Sequence, residues 1–320
     1  MSHERELLRS AVRGLLSGVS ALDGFSPALW QRLCKEIGVA GLAVPESHGG
    51  AGATILESLV VLEELGRTLT PAPMLNTLLA TSALLESGNA DVCARLLPAI
   101  CAGDLIPAVT WDGTVIDASH ADLILTVTDG DLRALDPASV VHDPLPSLDL
   151  TREMSVTGIS DSPDGELLGS VSADRLWDLA CVALSAEQVG AAGRALELTV
   201  EYSKNRVQFG RAIGGFQVLQ HRMAEAHVLV EAARSACWTA ADAFVAGSPD
   251  AGRLAAVSKI WCSETLQTVA AGMTQIHGGL AITWEHDAHL YLRRAWDTAQ
   301  LFGSPRSHLE RLADALLAGD

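Results

Sequence analysis

Basic residues are scarce in this 320-residue chain: 22 Lys and Arg stand against 39 Asp and Glu, which gives a net charge of −17 at pH 7. A chain this acidic repels phosphate backbones, so we expect neither nucleic acid nor an anionic membrane as a partner. Long hydrophobic runs are also missing, because charged residues or prolines interrupt each apolar stretch before the roughly 20 residues that a spanning helix needs. The six cysteines are dispersed and form no C-x-x-C pair, which predicts reduced thiols in a cytoplasmic protein.

Apolar content is the strongest positive feature of the composition. Hydrophobic residues make up 48% of the chain and charged residues 19%, which excludes a disordered protein and allows a large core. The length allows about two domains. The mean hydropathy is +0.24, which is high for a chain without a spanning segment. The excess predicts surface that is buried against another subunit.

Hydrophobic periodicity divides the chain into three segments. Helical spacing dominates residues 1–105 and 171–320, while short β-rich runs between Asp-Gly and Asp-Pro turns fill 106–170. The predicted helices cover 6–16, 26–38, 54–68, 76–87, 91–102, 174–205, 217–245, 250–273, 285–294 and 305–318, and the predicted strands cover 106–111, 123–127, 132–135 and 154–159. We therefore predict a mainly α protein with an N-terminal helical domain (1–105), a small antiparallel β domain (106–170) and a C-terminal helical bundle of four-helix type (171–320).

Two motifs in the predicted bundle are distinctive. Arg206-Val-Gln-Phe-Gly210 ends the first long helix, and Gln275-Ile-His-Gly-Gly279 follows the third. Together with residues 38–66 they resemble the acyl-CoA dehydrogenase family, in the family's own order. The resemblance covers nearly the whole chain and is strongest to the base-lacking subunit of the heteromeric acyl-CoA dehydrogenases of actinobacterial lipid and steroid catabolism. It implies a fold with a helical domain, a middle β domain that is reduced here, and a helical bundle.

The resemblance implies that FAD is the cofactor, and the motif residues suit its ADP half. A planar guanidinium pairs with pyrophosphate or ribose oxygens, a flat apolar ring suits adenine, and paired glycines let the backbone approach a diphosphate. The implied FAD-binding residues are Arg206, Gln208, Phe209, Ile213, Phe216, Gln275, Gly278 and Gly279. Taken singly, Arg206 is equally well a surface ion-pair residue and the Gly278-Gly279 pair equally well a helix stop.

No residue of this chain matches the family's catalytic base. In the family a glutamate removes the proton alpha to the thioester while flavin N5 accepts a hydride. Gly303 stands where that glutamate is expected, and Ala180 stands at the alternative position on the first bundle helix. Asp178 and Glu187 are nearby in sequence, but helical geometry turns both away from the required face. We therefore predict no catalytic residue in this chain.

The β segment also lacks family motifs. Residues 108–113 stand where the family carries a stretch that holds the isoalloxazine ring, and no Trp-Ile-Thr match occurs within 106–170. Cys181 stands near the position of a CoA-contacting arginine. The resemblance therefore implies that this chain alone holds neither the flavin ring nor a CoA thioester.

Loss of the ring side with retention of the ADP side predicts a division between subunits. In the family each FAD is shared by two subunits, so this chain would complete the FAD site of a homologous, catalytically competent subunit in an α2β2 heterotetramer. The acyl-CoA would then contact mainly the partner. Two alternatives stay open: a flavin-free homodimeric homologue with a binding or scaffold role, and a self-sufficient enzyme with a displaced base.

Other candidate features have simpler interpretations. His286 and His289 are spaced for one helical face, but they have no third ligand, so we predict no metal site. His277 could contact the cofactor or pack in the core. The tryptophans at 261, 284 and 296 are expected to be core or interface anchors. Ser304, followed by Pro305, is expected to cap the last helix.

Overall fold

The computed structural model describes residues 3–111, 114–140, 142–157 and 165–318. Packing groups the chain into two compact units, Met1–Glu64 with Thr70–Ser147 and Thr151–Ala180, and Leu65–Leu69 with Leu148–Leu150 and Cys181–Asp320. The β region shares the first unit with the N-terminal helices. The three separate domains stay a prediction. Among the described residues, no helix combines the length and the apolarity that crossing a membrane requires.

The first unit begins with short helices. They are α1 (His3–Leu15), α2 (Pro27–Arg32), α3 (Ile55–Thr68), α4 (Met74–Glu86) and α5 (Ala90–Cys101). The predicted helix over 26–38 is interrupted, because α2 gives way to one π-helical turn, Leu33–Ile37, that ends at the left-handed Gly38. Buried ion pairs join α1 to α3: the guanidinium of Arg9 lies 3.0 Å from the carboxylate of Glu63 and 2.8 Å from that of Glu64.

The β region forms two sheets. Strands β1 (Pro107–Thr110), β3 (Leu123–Thr128), β4 (Asp131–Leu135) and β7 (Glu166–Ser170) form one sheet, and β2 (Thr114–Ile116), β5 (His142–Pro144) and β6 (Met154–Thr157) form the other. Strands β3 and β4 form a hairpin at Asp129-Gly130, one of the Asp-Gly turns of this segment. The prediction of a wholly antiparallel segment is wrong, because β1 pairs parallel with β3. The intervening β2 joins the other sheet, which lets the chain return in the same direction. Residues 112–113, at the end of the 108–113 stretch, and residues 158–159, at the end of the predicted strand 154–159, lie outside the described part.

One polar side chain explains why the sheet and α4 belong to one unit. Asn76 is buried on α4, and its amide donates to the carbonyl of Ile116 at 2.9 Å. Its amide oxygen accepts from the backbone N–H of Val109 at 3.3 Å. Buried backbone groups at the ends of β1 and β2 are thereby satisfied by a helix residue.

The second unit contains the helical bundle. Its elements are α6 (Ala173–Asn205, of which the part from Cys181 belongs to this unit), a two-stranded hairpin β8 (Val207–Gln208) and β9 (Arg211–Ala212), α7 (Gln217–Val245), α8 (Ala251–His277), α9 (Ala288–Thr298) and α10 (Pro305–Ala318). The helix α8 runs four residues beyond the predicted end, because Gly278, with φ of +59°, is the first residue that stops it. Helix α9 starts three residues later than predicted, because the side chain of His286 accepts the N–H of Ala288 and forms a turn there.

Close approach at α6 requires a glycine. A Cβ on Gly66 would lie 2.1 Å from the carbonyl oxygen of Glu187. No side chain fits at that distance, so the end of α3 contacts α6 backbone to backbone. Small residues of α6 (Ala191, Ala192 and Ala195) are buried within the same unit.

Candidate functional site

A cavity of about 460 Å³ lies where the end of α6, the β8–β9 hairpin, the start of α7 and the end of α8 meet. All eight residues that were predicted to bind FAD line it. The lining comprises Tyr202, Arg206, Gln208, Phe209, Ile213, Phe216, Val218, Leu219, Arg222, Gln275, Ile276, His277, Gly278 and Gly279. Two motifs that are 65 residues or more apart in sequence therefore line one cavity.

The β8–β9 hairpin positions the first motif. Phe209 and Gly210 form its tip with φ of +53° and +76°, a turn that glycine makes readily and phenylalanine does not. The backbone N–H of Ile213 closes the hairpin by donating to the carbonyl of Arg206 at 2.8 Å. The sequence analysis did not predict this hairpin, although Phe-Gly between two short polar runs was its signal.

Arg206 is available for a ligand. Its side chain is exposed, and no carboxylate in the described part of the chain pairs with it. The backbone N–H of Arg206 donates to the carbonyl of Tyr202 at 2.9 Å, which continues α6 to the cavity edge. A fixed backbone with a free guanidinium suits bidentate recognition of phosphate oxygens.

Phe209 projects into solvent at the mouth of the cavity. It is 92% exposed, and its ring meets that of Phe216 edge to face with centroids 6.1 Å apart. The guanidinium of Arg211 lies 4.1 Å over the ring of Phe216. An aromatic side chain held open on a strained turn gains burial only when a ligand or another protein covers it.

The paired glycines leave the other wall open. A Cβ on Gly278 or on Gly279 would meet no atom within 4 Å. Gly278 also adopts φ of +59° and ψ of −135°, a conformation in which any other residue would be strained. The pair therefore acts as a helix stop and also leaves backbone accessible to a ligand, so the two interpretations of the glycines are compatible.

His277 is the cavity residue whose role the sequence left open. It is 3% exposed, and its ring stacks on that of Tyr202 with centroids 4.2 Å apart. Burial lowers the pKa of His277, and the neighbouring His286 lowers it further, while the hydrogen bond to the carbonyl of Met273 opposes the shift. The lowered pKa favours the neutral imidazole.

The position expected for a catalytic base is occupied by a left-handed turn. Phe302 and Gly303 adopt φ of +53° and +88°, and a Cβ on Gly303 would lie 2.9 Å from Nε2 of His308. That nitrogen donates to the carbonyl of Phe302 at 2.8 Å, and the thiol of Cys181 lies 3.9 Å from it. Ala180 is fully buried. A side chain at 303 would therefore be strained, and no carboxylate stands at either position.

Glu187 has a structural partner. Its carboxylate pairs with the guanidinium of Arg294, which also pairs with Asp149. All three side chains are buried, each less than 5% exposed. A carboxylate engaged in this way is unsuited to take a proton from a substrate. The sequence analysis noted Glu187 but did not predict its partners, since Asp149 is 145 residues from Arg294.

The remaining candidates lie outside the cavity or line its edge without a chemical role. Among the described residues, no group of three or more His, Cys, Asp or Glu side chains is placed to hold a metal. Trp284, Trp296 and Trp261 are 70%, 52% and 45% exposed, so the expectation that they belong to the core is wrong and their role as interface anchors stays a prediction. Ser304 accepts the N–H of Ser307 at 3.2 Å and caps α10 as predicted.

Sequence reasoning missed five residues that line the cavity, Tyr202, Val218, Leu219, Arg222 and Ile276. Arg222 and Leu219 lie three residues apart on the first turns of α7, and Tyr202 lies four residues before Arg206 on α6. Their spacing from predicted residues at helical periods was the available signal.

Comparison with known proteins agrees with the motifs. A family model described as the acyl-CoA dehydrogenase N-terminal domain matches residues 3–104, and one described as the C-terminal domain matches 177–317. The acyl-CoA dehydrogenase IpdE2 of Mycobacterium tuberculosis is 40% identical over 97% of this chain and 96% of its own length.

Two solved structures are similar over 99% of this chain and 98% of their own. One is a variant of the Tcur3481–Tcur3483 steroid acyl-CoA dehydrogenase, with 27% identity and a TM-score of 0.87. The other is the ChsE4–ChsE5 complex from Mycobacterium tuberculosis, with 26% identity and a TM-score of 0.87. The expected fold, mainly helical with a small β region, is confirmed.

Proposed function

The chain belongs to the acyl-CoA dehydrogenase family, and on that premise we propose that it is the base-lacking subunit of a heteromeric, FAD-dependent acyl-CoA dehydrogenase. It contributes the ADP side of the FAD site to a homologous partner subunit that carries the catalytic glutamate. The assembly is an α2β2 heterotetramer. The cytoplasmic location inferred from the cysteines is part of this proposal.

The observation that carries the proposal is an asymmetry. The eight residues expected at the ADP half line one cavity, while the turn expected to carry the base has Gly303 in a left-handed conformation that disfavours a glutamate. A cavity with a free guanidinium, the exposed side chains of Gln208, Phe209 and Gln275, and an open glycine wall fits a dinucleotide. The chain therefore keeps a binding site without the acid–base chemistry that the site would serve.

Each cavity residue has a distinct task in this proposal. Arg206 holds pyrophosphate or ribose oxygens, Gln275 hydrogen-bonds the same region, and Gly278 gives backbone access. Phe209 covers the adenine end. When bound, FAD supplies the hydride acceptor for α,β-desaturation of the acyl-CoA thioester. Proton abstraction belongs to the partner's glutamate, because Glu187 is committed to Arg294.

The relatives support a class of substrate. A steroid acyl-CoA dehydrogenase stands among the similar structures. We infer a bulky or branched acyl-CoA, such as a steroid side-chain thioester, which contacts mainly the partner subunit. The three exposed tryptophans, Trp261, Trp284 and Trp296, and the exposed Phe209 are candidate contacts between subunits.

Co-expression tests the proposal. The chain is produced alone and together with the homologous dehydrogenase subunit encoded beside it, and bound flavin is measured per mole of complex. We expect one flavin for each pair of unlike subunits, and desaturation that disappears when the partner's glutamate is replaced by glutamine. Full flavin occupancy and desaturation by the chain alone would overturn the proposal in favour of a displaced base.

A second outcome separates the binding alternative. A flavin-free homodimer that forms no complex with any adjacent homologue would identify a non-catalytic scaffold protein. For the cavity variant Arg206→Ala, the matched control is Arg253→Ala. Arg253 is an exposed arginine of α8 that pairs with Asp250 and does not line the cavity.

A further inference from the structure

A further cavity of the bundle, about 370 Å³ in volume, has two tryptophans in its lining and is called the tryptophan cavity below. One wall is a single face of α9, because His289, Arg293 and Trp296 recur there at helical spacing. Trp284, in the turn before that helix, and Leu148 line the rest. None of these residues lines the predicted FAD cavity, so the two cavities are distinct.

The apolar side chains of the tryptophan cavity are unusually exposed. Ile282 is 80% exposed, Trp284 70% and Trp296 52%. Since a tryptophan presents up to about 250 Å² of surface, the two rings leave on the order of 300 Å² uncovered. Ile282 and Leu148, also exposed, extend the same patch. An apolar patch of more than a few hundred Å² marks a binding surface on a soluble protein.

Arg293 adds a positive charge to this surface. In the described part of the chain its guanidinium donates to the carbonyl of Leu148 at 3.3 Å and pairs with no carboxylate. Burial, and after it the charge of Arg293, lower the pKa of His289, which favours a neutral imidazole beside the guanidinium. The cavity therefore combines aromatic walls with one cation. An apolar protein segment that carries a carboxylate complements both, and Trp and Arg are the residues on which such contacts most often depend.

The tryptophan cavity adjoins the predicted FAD cavity. One five-residue 3-10 turn, Gly278–Ile282, begins at the glycines of the FAD cavity and ends in the tryptophan cavity. A turn of that length spans only about 8 Å. A subunit that brings a flavin to Gly278 and Gly279 would therefore also cover Ile282 and Trp284. A second copy of this chain is a poorer occupant, because two chains of net charge −17 repel each other.

We propose that the tryptophan cavity is a docking site for the homologous partner subunit, which packs an apolar segment against Trp284 and Trp296 and places a carboxylate against Arg293. The inference rests on the proposed function, because that function requires the partner to reach the neighbouring FAD cavity. It adds the surface and the chemistry of the contact. The two tryptophans are the anchors, and Arg293 acts on orientation and on the rate of association.

Hydroxyl-radical footprinting with mass spectrometry tests the assignment without any variant. The chain is labelled alone and in the purified complex with the homologous subunit encoded beside it, with the exposed Leu22 of the first unit as the internal reference. We expect Trp284 and Trp296 to be modified several-fold more slowly in the complex. Equal modification of both in a flavin-containing complex would overturn the inference. Protection that is already complete in a dimer of the chain alone would also overturn it, in favour of a second copy.

Two variants measure what the anchors contribute. Trp284→Ala and Trp296→Ala should each weaken the association of the two subunits about tenfold or more, as the loss of a buried aromatic anchor does. Both side chains are exposed in this chain, so urea unfolding of the chain alone should not change. Leu22→Ala is the control. Sedimentation over a dilution series gives the affinity, and association of both tryptophan variants within about twofold of the wild type would contradict the anchor role.

Salt dependence tests the charge. Association of the wild-type subunits should weaken as salt is raised, and Arg293→Ala should weaken it at low salt and reduce this dependence. Arg293→Lys keeps the charge and should retain most of the dependence, while Arg253→Ala should behave as the wild type. An unchanged salt dependence in Arg293→Ala would overturn the assignment of a carboxylate to this guanidinium.

The outcomes separate this inference from the proposed function. One flavin for each pair of unlike subunits, lost in Arg206→Ala, supports the proposed function whatever the tryptophans do. If the homologous subunit forms no complex with the wild-type chain, the proposed function fails and the docking site fails with it.

Discussion

Arg294 on α9 and Glu187 on α6 form a buried ion pair, and Asp149 pairs with the same guanidinium. One positive charge is thus shared by two carboxylates in the interior of the second unit. Removing one member of a buried ion group leaves charge without compensation, which costs more than the group contributes as a whole.

We expect Arg294→Met to destabilise the protein by about 3–5 kcal/mol, because the buried carboxylates of Glu187 and Asp149 would lose the positive charge that Arg294 supplies. Urea unfolding followed by circular dichroism measures the change. Adding Glu187→Gln and Asp149→Asn to Arg294→Met should recover part of the loss. Equal stability of the single and the triple variant would show that the two carboxylates are not coupled to the arginine.

The turn at Gly303 gives a second prediction. Gly303→Ala should lower the free energy of unfolding by on the order of 2 kcal/mol, because the left-handed conformation penalises a Cβ and His308, itself buried, blocks the space. The matched control is Gly272→Ala. That glycine lies inside α8 with no atom within 4 Å of its missing Cβ, so the substitution should stabilise by up to about 1 kcal/mol. A neutral Gly303→Ala would show that the turn relaxes easily.

The buried Lys259 should make the stability of the protein depend on pH. Its Nζ donates to Ser263 and to the carbonyls of Thr298 and Ala299, all within 3.3 Å. Burial lowers the pKa of Lys259 from its ordinary 10.5 to about 8. Above pH 8 the folded protein releases this proton while the unfolded chain keeps it, so stability should rise with pH from about 8, by at most about 1.4 kcal/mol per pH unit.

Comparison with a lysine variant isolates this effect. The pKa values of His277 and His308 are lowered by burial and lie below pH 7.5. The buried thiols of Cys34 and Cys101, whose pKa values burial raises to about 12 and about 11, oppose the trend as pH approaches the ordinary thiol pKa of 9.0, where the unfolded chain loses those protons and the folded protein keeps them. This opposing effect is common to the wild type and the variant. Chemical unfolding of the wild type and of Lys259→Met is compared. The difference between the two should depend on pH, and parallel curves would refute the depressed pKa.

Arg206 should affect binding without affecting stability. Arg206→Ala is expected to weaken FAD binding by the heteromeric complex tenfold or more, which is the effect of losing one or two charge-assisted hydrogen bonds. Its exposed side chain pairs with no described carboxylate, so the change in unfolding free energy should stay within about 0.5 kcal/mol. Flavin fluorescence gives the affinity. Arg206→Lys should be intermediate, since an ammonium lacks the bidentate geometry, and Arg253→Ala should bind FAD as the wild type does.

The bundle helices were the most predictable part of the fold. The sequence predicted both ends of α7 correctly. Gly214, Gly215 and Phe216 precede the helix, and Gly247 follows it. The end of α8 was placed four residues early, because Thr274–His277 continue the helical period and only the backbone of Gly278 shows where it stops. Local patterns identify an element, while a helix end depends on a dihedral angle that composition does not fix.

Long-range pairing was the least predictable part. The parallel contact of β1 with β3 depends on where β2 goes, and no local signal specifies that β2 pairs with β6 in a second sheet. The partner of Glu187 was equally hidden. By contrast, the cavity residues were predicted from the chemistry of their motifs and not from contacts. The hydrogen bond between Nδ1 of His277 and the carbonyl of Met273, and the lack of a partner for Nε2 among the described residues, could be seen only in the structure.

The left-handed Phe302-Gly303 turn has a consequence for descent. A codon change that placed glutamate at 303 would have to coincide with a change at His308 and with a rearranged backbone, and each alone is unfavourable. A single substitution at 303 is therefore an unfavourable route to a carboxylate at this turn. Under the proposed division between subunits, a lineage that carries this chain should also keep the gene for the complementary chain, and we expect the two genes to be gained and lost together.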